Sequence, residues 1–266
     1  MKAVVVSELR KVTSTSLWWI LAAAIAVYMA FMAGVLGLSF GIPVEEGGMG
    51  GTVDDLSTAL AVYGVAASLG YVFPLVLGAL SLTGEFRHRT ITPTFLAEPR
   101  RWRVLAAKMG VQGVFGALYG LVGTAAAVAA GAAGLALSDT PTMLGEPEVW
   151  GALARTVLAL ALWGMIGVGF GAIIPNQVAS IVVILAFTQL VEPLLRVGLS
   201  AWDVTESVAS YLPGGASDAL VGASVYSLAA GGGGLLPAWG GGLVLAAYAA
   251  LFAGIGAATT LRRDVT

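Results

Sequence analysis

Leu17-Trp18-Trp19-Ile20-Leu21-Ala22-Ala23-Ala24-Ile25-Ala26-Val27-Tyr28-Met29-Ala30-Phe31-Met32-Ala33-Gly34-Val35-Leu36-Gly37-Leu38 carries no charged side chain. As a helix rising about 1.5 Å per residue it is about 33 Å long, enough to cross a hydrocarbon core of roughly 30 Å. A cleavable signal has a much shorter apolar region and a small-residue cleavage site, so this run predicts a first membrane span. Before it, residues 1–16 place Val4, Val5, Leu9 and Val12 at helical spacing, with Lys2, Arg10 and Lys11 on the polar side. That pattern predicts an amphipathic helix lying on the membrane surface.

Working outward, comparable apolar runs occupy 56–82, 105–137, 150–173, 177–195 and 237–261. The expectation is an all-α integral membrane fold with six transmembrane helices, about 17–38 and these five, in a single transmembrane domain over 1–266. Composition agrees. The chain is 58% hydrophobic and 11% charged, with a mean hydropathy of +0.90, far from the roughly 25% charged residues of a soluble domain. Ala219 to Ala230, flanked by Pro213-Gly214-Gly215 and Gly231 to Gly234, is too short to span and reads as an outer re-entrant segment before the sixth span.

Charge placement tests the count, because short cytoplasmic loops collect Lys and Arg. Lys2, Arg10, Lys11, Arg87, Arg89, Arg100, Arg101, Arg103, Lys108, Arg262 and Arg263 fall on one predicted side, leaving only Arg155 and Arg196 on the other. That other side holds Glu45, Glu46, Asp54, Asp55, Asp139, Glu146, Glu148, Asp203, Glu206 and Asp218. Six crossings with both termini cytoplasmic, in the cell membrane, follow; a seventh would put Arg262 and Arg263 outside. Gly113, Gly116, Gly120 and Gly123 form a small-residue stripe on the third span, and Gly167 and Gly171 a GxxxG on the fourth. Both read as intramolecular packing or as a dimer seam.

Several chemistries are excluded. Cysteine is absent, so no disulfide framework or thiolate site exists. No GxxxxGK[ST] phosphate cradle precedes any of the three lysines, and a single histidine, His88, rules out HExxH metal chemistry within the chain. Gly37-Leu38-Ser39-Phe40-Gly41 matches the GxSxG nucleophile pattern, but that pattern needs a strand-to-helix turn and a His base. Here it ends a membrane helix about a bilayer away from His88. No cofactor is expected on this chain.

The most informative connection runs from Thr83 to Lys108. It is basic, yet Phe95-Leu96 and Trp102 add apolar knobs suited to a groove on a protein partner, and Pro93 and Pro99 bracket about one short helix. Read as an ordinary basic loop, the same segment is attracted to anionic membrane lipid. Glu85, Thr90, Phe95, Leu96, Pro99, Arg101 and Lys108 resemble the first intracellular loop of the ABC-2 type permeases, the membrane subunits of a class of ATP-binding cassette transporters. Family members commonly have Gly before the Thr, where this chain has Arg89.

The resemblance implies that 83–108 holds a cytoplasmic coupling helix between the second and third spans. It would be seated on a separate ATP-binding subunit through Glu85, Arg87, His88, Arg89, Thr90, Thr92, Phe95, Leu96, Pro99, Arg100, Arg101 and Lys108. It also implies two ATPase copies, a second permease copy or homologue, ATP and Mg on the partner only, and most often export. Nucleic acid is not among the expected partners.

By the same resemblance the second and fifth spans line the substrate path, making Tyr63, Tyr71, Phe73, Phe187, Gln189 and Glu192 candidates. An apolar path favours lipophilic or amphipathic cargo. Glu192 reads either as half of an i, i+4 ion pair with Arg196 or as an intramembrane carboxylate with a role in passage or hinging. Two other classes stay open: an ion- or proton-coupled secondary transporter, which needs buried ionisable groups on several helices, and a non-transporting membrane assembly subunit.

Overall fold

The computed structural model describes residues 1–40, 54–200, 207–222 and 236–260, and among these the regular structure is helical, with no strand. In chain order the helices are α1 (Lys2–Thr13), α2 (Leu17–Ser39), α3 (Asp55–Ser68), α4 (Val72–Arg87), α5 (Ile91–Ala97), α6 (Arg101–Leu137) and α7 (Pro147–Ile173). α8 (Gln177–Ala186) follows, then a π-helical turn (Phe187–Val191), α9 (Glu192–Ser200), α10 (Pro213–Val221) and α11 (Ala238–Ala258). Six helical stretches are long and apolar enough to cross a membrane: Leu17–Ser39, Asp55–Arg87, Arg101–Leu137, Pro147–Ile173, Gln177–Leu199 and Ala238–Ala258. The protein has the architecture of a multi-pass membrane protein.

Successive spans run antiparallel. The Ser138 hydroxyl after α6 donates to the Gly37 carbonyl near the end of α2 at 3.1 Å, and Arg87 at the end of α4 donates to Gln177 at the start of α8 at 3.1 Å. One end of the bundle therefore gathers Lys11, Arg87, Arg101 and Lys108 and is called here the basic end; the other gathers Asp139, Glu146 and Glu148. The charges Glu45, Glu46, Asp203, Glu206, Arg262 and Arg263 lie outside the described residues, as does most of Ala219 to Ala230. α6 begins at Arg101 rather than 105, and its 37 residues are about 55 Å long. Its first turns thus extend beyond a ~30 Å core.

Close helix approach is bought with glycine. A Cβ on Gly116 of α6 would lie 2.4 Å from the Leu160 carbonyl oxygen of α7, and one on Gly167 of α7 would lie 2.1 Å from that of Leu75 in α4. All four glycines of the α6 stripe and both of the α7 GxxxG thus face this chain's own helices, as the packing alternative requires.

Two spans are interrupted, each at a proline. Pro74 cannot donate to the Gly70 carbonyl, which takes the Phe73 N–H at 3.2 Å instead, and the second span breaks between Ser68 and Val72 rather than running unbroken over 56–82. In the fifth span the Glu192 N–H reaches back to the Phe187 carbonyl, forming the π turn. The next donor in that register would be Pro193, which has none, so the Thr188 carbonyl is orphaned. The span then continues to Leu199, past the expected end at 195.

Candidate functional site

At the basic end, four charges from three distant stretches meet. Lys108 is 1% exposed; its ammonium donates to Glu8 and Glu85 at 2.6 Å each and to the Ser81 carbonyl at 2.9 Å. Lys11 donates to Glu8 at 2.6 Å, Glu85 at 2.8 Å and the Thr94 hydroxyl of α5 at 3.2 Å. Two carboxylates and two ammoniums thus tie α1, α4, α5 and α6 together with no net charge. Burial works against the charge on Lys11, but its hydrogen bonds and attraction to Glu8 and Glu85 prevail and raise its pKa above 10.5. A raised lysine pKa contributes stability below that value and loses it only as pH climbs through the folded-state pKa, so Lys11 holds its contacts at neutral pH.

This arrangement reassigns several expected residues. Glu85 and Lys108, named above as partner-facing, are buried against Glu8, and Lys11, read above as the polar side of α1, is half-buried beside them. α1 turns Val4, Glu8, Lys11 and Val12 inward, while Val5 and Leu9 stay exposed. Glu8 went unnoticed in the sequence because nothing local marks a pairing across 100 residues.

The turn into α5 has a definite geometry. Thr90 N–H donates to the Glu85 carbonyl at 2.9 Å and Arg89 N–H to that of Phe86 at 3.3 Å, with Arg89 at φ 57°. These two bonds and a left-handed residue make a Schellman C-cap. The position where the resembled family has glycine is therefore one whose backbone favours glycine.

α5 is anchored by Ile91, which is buried with Leu82 and Leu105. Phe95 is half-buried against the same cluster, with the Arg101 guanidinium 5.0 Å from its ring centroid. Leu96 faces away from the bundle at 78% exposure and Trp102 at 60%. Arg87, His88, Arg89, Thr90, Thr92, Pro99 and Arg100 are also exposed. The outward apolar knobs are Leu96 and Trp102, whereas Phe95 is shared with the chain's own core.

The candidates for a substrate path separate into two groups. Tyr63 is buried and donates to the Thr142 carbonyl at 2.7 Å; Phe73 is half-buried with its ring 6.2 Å from that of Tyr28. Both serve packing. Tyr71 stacks on Trp163 at 4.4 Å and donates to the Thr188 carbonyl at 3.1 Å, satisfying the acceptor that Pro193 orphans. The Gln189 amide approaches the Tyr71 hydroxyl at 3.5 Å. Phe187 lines an apolar cavity of about 270 Å³ with Trp163, Phe170, Pro213, Tyr248 and Phe252.

Glu192 does not form the expected ion pair. Its Oε1 accepts from the Gly214 N–H at the start of α10, while Arg196 pairs with Asp218 inside α10. At the other end of α10, Arg155 donates to the Val221 carbonyl at 3.2 Å. A carboxylate at the N-terminus and a guanidinium at the C-terminus both complement the helix dipole. α10, nine residues and buried throughout, is thereby clamped at both ends by charges from two spans. Glu192 Oε2 is buried with no partner.

The Ser39 hydroxyl donates to the Leu36 carbonyl at 2.7 Å at the end of the bundle opposite His88, so no nucleophile and base come together. Among the described residues no three His, Cys, Asp or Glu side chains gather as a metal site. No protein-family model matches this chain, and no curated protein is similar to it at a significant level.

Proposed function

We propose that this chain is the membrane-spanning permease subunit of an ATP-binding cassette transporter, of the ABC-2 type that residues 83–108 resemble. The observation that carries the reading is the exposed helix α5, held rigidly between the second and third spans by Ile91 and the Glu8–Lys11–Glu85–Lys108 cluster. A partner ATPase grips Leu96, Trp102 and the surrounding arginines from the cytoplasm, and its closure displaces α4 and α6 together. From α4 the displacement reaches Tyr71, the π turn through the Thr188 carbonyl, and α10 through Glu192. Two discretely packed breaks at one depth are suited to hinge motion.

In this reading both termini are cytoplasmic and α1 lies at the inner surface of the cell membrane. A second copy completes the path, and cargo is lipophilic or amphipathic, most often exported. Leu96→Asp is the test. It is expected to abolish transport-coupled ATP hydrolysis while leaving stability within ~0.5 kcal/mol, as for an exposed side chain. Normal coupling in a stably assembled variant would sink the reading.

A second reading rests on Glu192 and Asp218, buried carboxylates from two helices near the acidic end, with the partly exposed Arg196 paired to Asp218. It makes the chain a proton-coupled transporter. Transport that follows an imposed proton gradient without ATP, and is lost in Glu192→Gln, would favour it.

A further inference from the structure

The apolar cavity of about 270 Å³ beside Phe187 is lined from α4, α7, α8, the π turn, α10 and α11, with no charged side chain among the described residues. Three of its lining side chains carry polar atoms, and each donates elsewhere. Trp163 Nε1 donates to the Ser217 hydroxyl at 3.2 Å, the Thr188 hydroxyl to the Ile184 carbonyl at 2.8 Å and the Tyr248 hydroxyl to the Tyr211 carbonyl at 3.1 Å. No side-chain donor is left for a ligand, so a polar occupant would lose hydration without replacement. A cavity of this kind also stays dry. Its occupant is hydrocarbon.

Depth says where that hydrocarbon comes from. The Thr260 hydroxyl donates to the Ile173 carbonyl at 3.4 Å, so α11 ends beside α7 at the basic end. At 1.5 Å per residue, Phe170 and Trp163 lie ~5 and ~15 Å from the basic end of α7, Val183 and Thr188 ~9 and ~17 Å from that of α8, and Phe252 and Tyr248 ~9 and ~15 Å from that of α11. These ranges coincide with one leaflet's half of a ~30 Å core. Gly214 is bonded to Glu192, one turn past Thr188, so its neighbours Pro213 and Leu212 close the cavity at the far end. Val183, 41% exposed, stands where the cavity meets the surface of the bundle.

We propose that this cavity takes the terminal part of one acyl chain from a lipid of the basic-end leaflet, entering past Val183 with its tip against Trp163. At ~30 Å³ per water-sized group the volume holds roughly nine carbons, part of one chain and too little for a sterol ring system. Lipid tails are as apolar as the walls, so entry is favoured by contact with the lining rather than by escape from water. Phe187 and Thr188 belong to the π turn, so the chain packs directly against the break in the fifth span. The site lies within one copy and stands without the transport reading.

Photolabelling of the full chain in phosphatidylcholine discs tests it, with a diazirine placed either at the end of one acyl chain or halfway along it. Mass spectrometry maps the adducts. Trp163 is 2% exposed and Leu160, on the same helix, fully buried, whereas Val27 faces outward on α2. The chain-end probe is expected to label Val27 and Trp163 but not Leu160, and the mid-chain probe to favour Phe170 over Trp163. A photoreactive sterol is expected to label Val27 alone of these. Val183→Trp, a substitution at an exposed position that narrows the mouth, is expected to lower Trp163 adducts about tenfold while leaving those at Val27. Trp163 labelled no more than Leu160, the two chain probes in reverse order, sterol adducts at Trp163, or undiminished labelling in the folded variant would each overturn the proposal.

Discussion

Replacing Lys108 with Met would leave Glu8 and Glu85 close together in a site nearly closed to water, each without its buried cation. Breaking a buried ion pair from one side costs about 3–5 kcal/mol, so Lys108→Met is expected to lower the unfolding midpoint of the detergent-purified chain markedly. A negligible shift would mean the cluster is hydrated and does not hold the basic end together. Arg89 gives the opposite prediction. An L-residue in the left-handed region costs about 1–2 kcal/mol, so Arg89→Gly is expected to stabilise the turn by about 1 kcal/mol in the same measurement. At this scale the loop pattern brought Glu85 and Lys108 forward, and the fold pairs them with each other and with Glu8 and Lys11. Their partner Glu8 lies far away in sequence, and only the fold reveals that the charges are spent internally.

Among the elements, the paired breaks in the second and fifth spans have the clearest physical cause. Pro74 and Pro193 each remove a donor, and the Tyr71 hydroxyl supplies one of the two missing bonds. Tyr71→Phe would strand the Thr188 carbonyl in a buried site at a cost of about 1–2 kcal/mol, while keeping the ring on Trp163. Thermal unfolding should show that loss, and hydrogen exchange should rise at 187–192 before it rises elsewhere. Unchanged exchange there would show that the carbonyl has found another donor. Both prolines are visible in the sequence, but hydropathy runs smoothly across them, so the spans read as continuous. α5 was legible from Pro99 and the charge pattern, but it starts at Ile91, so Pro93 sits inside its first turn, where a missing N–H costs no helix bond, rather than ahead of it. The inward turn of Phe95 was not, since adjacent apolar residues in a short helix give no clue to which one faces home.

For the whole molecule, six spans emerged from length and hydropathy because a membrane imposes both, and the glycine-rich helix contacts required only that small residues recur. Side and stoichiometry are separate questions. Cysteine at Glu46 is expected to react with an impermeant thiol reagent outside intact cells and cysteine at Thr266 to be shielded, on a background with no native cysteine; labelling of Thr266 from outside would restore an odd count. For pairing, Leu190 is a better reporter than Phe187, because it is exposed whereas Phe187 faces the chain's own cavity. Cysteine at Leu190 is expected to crosslink two copies in an ATP-dependent manner.

The account turns on what grips α5. A photoreactive amino acid at Leu96, with a control at the exposed Val27 in the middle of α2, can be crosslinked in native membranes and the adduct purified through a tag on this chain. The account predicts that Leu96, and not Val27, captures a polypeptide carrying a GxxxxGK[ST] phosphate cradle, and that the uncrosslinked complex hydrolyses ATP. Adducts at Leu96 limited to lipid, with no ATP hydrolysis in the purified material, would contradict it.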